Sequence, residues 1–294
     1  MNGRAIEILV VPYDVERRDT PMSRGPHGLL EHGFPDRLRA TGWEEIRITE
    51  IAAPAGSSKL EAVTGIARRI AEEVERADSR GRLPLVLSGG CLASLGVVAG
   101  LQRRRGHDVA ALWIDAHGDC NTPETSPSGY WDGMALAAVC GWSLPEIREA
   151  AALSALDPGR VIHLAGRAFD PTEDGNIQRL GLTRISPDQI ASEETRERLR
   201  RHAAGRSLYL HVDVDGLDPR DAPAVGYPEP DGARLADLLG CRGALPPAAA
   251  ITFSALSFDR ATPEEAGRTV DACTRLVTAF AGKRPAPEQE NGRG

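Results

Sequence analysis

An α/β fold on a mostly parallel sheet is predicted for this chain of 294 residues. Three observations predict it. Apolar runs of strand length alternate with amphipathic stretches of helix length. No linker-like segment or internal repeat interrupts that alternation before the C-terminal tail. Asp, His and Cys gather where apolar runs end, and parallel sheets bind ligands beyond the carboxyl ends of their strands.

The elements follow in order. Ile6–Val11 reads as a β-rich run closed by Pro12. Arg24-Gly25-Pro26 opens a loop that leads into a helix over Leu29–Thr41. Glu45–Ile51 is a second strand, and Leu60–Ala77 has the i, i+3, i+4, i+7 apolar spacing of a helix. Leu83–Leu87 is a buried strand followed by Ser88-Gly89-Gly90-Cys91, with Gly96–Leu101 on the next helix. Val109–Ile114, Val161–Ala165, Leu182–Ile185, Leu208–Val214 and Ala249–Phe253 complete eight strands. Ser192–His202 is a charged helix. Thr262–Phe280 is a last one, opened by Thr-Pro-Glu-Glu with Pro at the first helical position. Residues 1–281 are expected to form one domain and 282–294 a disordered, Pro/Gly-rich tail.

Bulk composition excludes several functions. A net charge of −7 disfavours nucleic acid or an anionic membrane as partner. No run of about 18 apolar residues offers a membrane span, and the N-terminus lacks a signal-peptide pattern. Five unclustered cysteines argue against a disulfide scaffold and for a reducing, cytoplasmic setting.

The chemistry concentrates in two blocks. Residues 113–121 read Trp-Ile-Asp-Ala-His-Gly-Asp-Cys-Asn, and 211–219 read His-Val-Asp-Val-Asp-Gly-Leu-Asp-Pro. A lone Asp-x-Asp after a strand is commonly a turn or cap. Two such blocks, one with Asp-x-His-x-Asp, point to a metal centre made of Asp115, His117, Asp119, Asp213 and Asp215. Carboxylates with one imidazole suit Mn²⁺ or another divalent first-row ion. Gly89-Gly90 is not followed by Lys-Ser/Thr, which excludes a P-loop.

Over roughly Ile6–Gly282 the chain resembles the ureohydrolases, the family of arginase and agmatinase, and the two Asp-rich blocks carry the resemblance. It implies a three-layer α/β/α arginase-like fold around an eight-stranded sheet. It also implies two Mn²⁺ per chain, a small guanidino amino acid as substrate, and a homo-oligomer, trimer or hexamer. Asp115 and Asp213 would bridge both metals, Asp119 would bind the first, and His117 and Asp215 the second. The family's remaining ligand is a His in Gly-Gly-Asp-His, and Cys91 stands in its place. A thiolate can replace imidazole; the alternative is a small buried residue where a metal has been lost. The exchange resembles a branch, known from D-cycloserine antibiotic biosynthesis, that cleaves Nω-hydroxy-L-arginine to hydroxyurea and L-ornithine.

Substrate contacts carry over in the same way. Asn121 and Ser128 match the family's Asn-x6-Ser pair, and Asp170 and Glu173 match later acids, which favours an α-amino acid over agmatine. Two positions depart. Asp132 replaces a proton-shuttle His. The loop Ser254–Arg260, where the family has a guanidinium-pairing Glu, is shorter, leaving Asp259 as a stand-in carboxylate beside Arg260, with Ser257 in place of a family Asp. His211 shares a strand face with Asp213; it reads as a core histidine, or as the group that takes over proton transfer. Asp119, Asp132, His211 and Asp259 are thus the catalytic candidates. The expected activity is amidinohydrolysis with hydroxyarginine preferred. Arginase, another urea-forming guanidino-acid hydrolase, and a metal-poor, non-catalytic homologue are the alternatives.

Overall fold

The computed structural model describes residues 4–282, so most of the expected tail lies outside the described residues. In chain order the elements are β1 (Arg4–Val11), α1 (Pro21–Glu31), α2 (Phe34–Ala40), β2 (Trp43–Glu50), α3 (Lys59–Ser79), β3 (Leu83–Ser88), α4 (Ala93–Arg105) and β4 (Val109–Ile114). Then come α5 (Ala135–Val139), α6 (Pro145–Ala151), β5 (Val161–Leu164), α7 (Glu173–Leu180), β6 (Thr183–Ile185), α8 (Glu193–Ala203), β7 (Ser207–Asp213), α9 (Leu235–Gly240), β8 (Ala248–Ser254) and α10 (Pro263–Phe280).

All eight strands form one sheet in the order β2-β1-β3-β8-β7-β4-β5-β6. Every pairing is parallel, so the expected α/β class holds. Alternate residues feed two cores. Leu9, Val11, Val109, Ala111, Trp113 and Tyr209 pack with α3 and α4 on one face. Ile6, Ile8, Val10, Leu112, Ile114 and Val212 pack with α2 and α10 on the other. A strand buried on both faces needs apolar residues at consecutive positions, which is why Val109–Ile114 is legible as a strand. Among the described residues no helix is long and apolar enough to cross a membrane.

The helix expected over Leu29–Thr41 is instead two helices, and the loop expected at Arg24-Gly25-Pro26 lies inside the first. A capping box closes that helix at its start: Thr20 and Ser23 each accept the other's backbone N–H. Gly25 is there for space, since a Cβ would strike the Leu256 carbonyl. Gly33, at φ +85°, breaks the run and starts α2.

Candidate metal centre

Sheet order assembles the centre. Strands β4 and β7 pair with Ile114 opposite Val212, so the next residues, Asp115 and Asp213, leave the sheet side by side. Strand β8 lies beyond β7, with Ser254 opposite Asp213, and β3 beyond β8 delivers Cys91. Gly216 lets the two blocks touch: a Cβ there would lie 2.8 Å from the Asp115 backbone nitrogen.

Backbone amides aim the carboxylates. Asp115 accepts from the His117 amide at 2.7 Å and from Trp113 Nε1 at 3.1 Å. Asp215 accepts from the Ala116 amide at 3.2 Å, and Asp213 from the Asp215 amide at 3.0 Å. Cys91 Sγ lies 3.1 Å from Asp213 Oδ2 and 3.2 Å from Ser254 Oγ. His117 Nδ1 lies 3.2 Å from Asp215 and 3.7 Å from Asp115. Asp119 adopts φ +50°, a left-handed conformation that Asp tolerates better than most residues.

Donor atoms of Asp115, His117 and Asp215 lie within 4.8 Å of one another, and so do those of Cys91, Asp115 and His211. Asp115 is common to both groups. Asp119 and Asp213 line the same cavity without joining either trio.

Crowding buried anions shifts their titration. Burial, then the Asp215 charge, pushes Asp115 up to about 8, against the pull of His117. Burial with Asp115 and Asp132 drives Asp119 well up, and burial with Asp215 and Asp115 does the same to Asp213. The Cys91 thiol is driven well up by burial and by Asp119. Burial alone would lower His117, but its bond to Asp215 outweighs that and raises it to about 9. Asp119 Oδ2 and His211 Nε2 are buried without a hydrogen-bond partner. Converging anions and two orphaned polar atoms are what a cation would satisfy, so the donor set fits divalent metal.

Above the cluster opens a cavity of about 440 Å³ lined by Asn121, Ser128, Asp132, Asp170, Glu173 and Tyr227, among others. Asn121 Nδ2 donates to Asp170 Oδ2 at 2.8 Å. Glu173 accepts from the amides of Asp170 at 2.9 Å and Cys120 at 3.1 Å, bracing that wall of the cavity. Gly118 makes room for it, since a Cβ there would sit 2.8 Å from the Glu173 carboxylate. Ser128 Oγ accepts from the Tyr130 amide at 3.2 Å near the mouth. Asp132 also lines the cavity, but its Oδ1 accepts from the Leu92 amide at 2.9 Å, which ties it to the Cys91 segment. Burial raises Asp132 to about 6 despite its bonds to the amides of Cys91 and Leu92.

Two expected catalytic residues do not line the central cavity. Asp259 pairs with Arg24 and lines a neighbouring cavity together with Ser257 and Arg260. Ala255 is what the 254–260 loop contributes to the lining of the central cavity. His211 is fully buried beneath the cluster and is not on the cavity wall, which removes it from a shuttle path to solvent.

Several contributors escaped sequence reading. Ser254, the polar end of an apolar strand, had the same signal as Asp115. Trp113, inside the first block, supports Asp115 through its indole N–H. Arg167 donates to the carbonyls of Asp215, Gly216, Glu229 and Pro230, pinning the second block, and nothing local in sequence announces this.

A family model described as "Arginase family" matches residues 4–253. An arginase of Bacillus caldovelox is 31% identical over 249 residues, covering 76% of this chain and 80% of that one. An arginase of Neurospora crassa is 28% identical over 257 residues, covering 79% and 72%. The crystal structure of arginase from Bacillus cereus superposes with a TM-score of 0.83 at 25% identity, covering 95% of this chain and 99% of that one.

Proposed function

The chain belongs to the arginase family, hydrolases of amidine C–N bonds, and from that premise we propose a dinuclear Mn²⁺ amidinohydrolase for guanidino α-amino acids. Its preferred substrate is Nω-hydroxy-L-arginine, giving L-ornithine and hydroxyurea. The observation that carries the two-ion reading is the sharing of Asp115 between two donor groups. Cys91, Asp115, Asp119 and Asp213 would hold one ion, and His117 and Asp215, with Asp115 and Asp213, would hold the other. Such ions, when bound, would supply activated water near neutral pH.

The chain's residues do the rest. Asp170 takes the substrate ammonium, while Asn121 and Ser128 take the α-carboxylate. Glu173 positions Asp170 by holding its backbone amide. These contacts fix the guanidino carbon over the cluster, converting an encounter into an oriented attack. Water adds to that carbon and the bond to the side-chain nitrogen breaks. Asp119, on the cavity lining, holds the proton released by water and passes it to the departing ornithine nitrogen.

Hydroxylation of the substrate fits three features. No carboxylate of the 254–260 loop lines the central cavity to pair with a guanidinium. An N-hydroxyguanidine is less basic than a guanidine, so it depends less on that pairing. Asp132, raised to about 6, is available at the wall to bond the extra hydroxyl. Five free, buried cysteines fit work in a reducing cytoplasm, and assembly into a trimer or hexamer is expected from the family. A panel of L-arginine, Nω-hydroxy-L-arginine and agmatine with the Mn²⁺-loaded protein tests the reading. The hydroxylated amino acid should have the highest kcat/KM and agmatine the lowest. A clear preference for L-arginine would make the chain a plain arginase, as its curated relatives are named.

A further inference from the structure

We propose that His211 is itself a metal ligand. Its Nε2, Cys91 Sγ and an Asp115 oxygen form a mixed nitrogen–sulfur–oxygen position that prefers a borderline ion such as Co²⁺ or Zn²⁺ to Mn²⁺. This rests on the two-ion reading and specifies the chemistry of one of its positions.

Five observations carry it. A ring nitrogen of His211 lies within 4.8 Å of both Cys91 Sγ and an Asp115 carboxylate oxygen, a spacing one ion can bridge. The other polar demands of the ring are already met. Nδ1 sits 2.9 Å from Ser94 Oγ and 3.3 Å from Tyr209 Oη, and Tyr209 is fixed in turn by a 2.8 Å bond to Thr252. When Nδ1–H donates to Ser94 Oγ, the lone pair is left on Nε2, the arrangement by which an outer hydrogen bond orients a ligating imidazole.

Nε2 is fully buried and has no partner, although buried ring nitrogens normally have one. The ring is also clamped: it stacks on Trp113 with centroids 3.8 Å apart and planes 27° apart, and Trp113 donates to Asp115 from the same side. Finally, His211 lies off the cavity wall, so neither substrate nor bulk water supplies the missing partner.

The two trios therefore differ in softness. One offers thiolate, imidazole and carboxylate; the other offers one imidazole and two carboxylates. Thiolate and imidazole select softer or borderline ions, whereas oxygen-rich sites suit Mn²⁺. The chain is thus built for two unlike positions, and a mixed-metal centre follows from the donor set.

The test titrates the metal-free full-length protein with Co²⁺. Bound ions are counted by elemental analysis, and the thiolate-to-cobalt charge-transfer band and the visible ligand-field bands are recorded. Three variants accompany the wild type: Cys91→Ser, His211→Ser and His211→Asn. The last keeps a polar atom near Ser94 while removing the Nε2 position, and far-UV circular dichroism checks folding.

Wild type should bind two ions and show the charge-transfer band, which Cys91→Ser abolishes. Both His211 variants should weaken Co²⁺ at the thiolate position by roughly tenfold or more, the low end of what losing even an outer-shell partner costs. They should alter the ligand-field bands and leave the second position intact. Two ions bound by both His211 variants with wild-type affinity and unchanged spectra would overturn the proposal and leave the dinuclear reading standing. A wild type that binds no ion would overturn both.

Discussion

On the floor of the cavity, Asp115 and Asp213 are set by the pairing of β4 with β7, and each is locked by backbone amides. On the rim, Asn121, Ser128 and Asp132 belong to a segment without strands, held by side-chain bonds such as Asn121 to Asp170 and Asp132 to the Leu92 amide. The floor is pinned by a ladder that cannot slip by one residue without turning every side chain to the other face. The rim can be rebuilt by a single change of loop length. On the proposed reading, the floor sets the reaction class, and the rim sets which guanidino compound enters.

The sharpest way to break this comparison is at the floor. Replacing Asp115, shared by both donor groups, with Ala should remove both ions and lower kcat/KM by more than the roughly 100-fold that losing an outer partner costs. Elemental analysis and steady-state kinetics check this, and retained metal with retained activity would contradict it. Gly216→Ala should act through the same contact. Its Cβ would meet the Asp115 backbone 2.8 Å away, an overpacking cost of about 1–3 kcal/mol in unfolding free energy. Denaturant melts of the metal-free variant would read it out.

A rim change should alter recognition and spare the metal. Asn121→Ala loses the partner of Asp170, a hydrogen bond to a charged group worth about 1.5–3 kcal/mol. KM for the amino acid substrate should rise by roughly 10- to 100-fold, with bound metal unchanged. A drop in metal content instead would erase the distinction between floor and rim.

The next effect is a pH dependence confined to the floor. Asp115 is raised from 3.8 to about 8 in the metal-free protein. The folded chain then binds more protons than the unfolded one across that interval, so stability falls as pH rises from 3.8 towards 8. His117 adds in the same direction. Its contribution is complete below its unfolded value of 6.5 and is lost as pH rises through about 9. Saturating Mn²⁺ should flatten or reverse the slope, because coordinated carboxylates stay ionised and binding releases protons. Thermal midpoints measured with and without Mn²⁺ across this range check it; a metal-free midpoint that climbs with pH would contradict it. The smallest effect is expected at Arg24→Ala. It frees Asp259 on the exposed side of the neighbouring cavity and should change kcat/KM by less than about twofold.

The same division explains what could be read from sequence. Val109–Ile114 and the two Asp blocks were legible because a strand buried on both faces has a one-dimensional signature and its end points at the site. Cys91 was legible through the strand before it. The start of α1 at Pro21 was not, because Arg24-Gly25-Pro26 reads as a loop while Gly25, packed against Leu256, lies inside the helix. Asp259 misled for a related reason. A carboxylate in a loop has no fixed direction in sequence, and Arg24, 235 positions away, captured it. His211 was placed on the right strand face by the period of two, but how deep it lies beneath the cluster depends on Trp113 stacking from the neighbouring strand.

Anomalous diffraction from crystals grown with Co²⁺, an ion that both positions should accept, tests the central claim most directly. The account requires two peaks in the cavity floor with a carboxylate oxygen of Asp115 on each, one peak beside His117 and Asp215 and the other beside Cys91. A single peak, or a pair that leaves Asp115 uncoordinated, would contradict it.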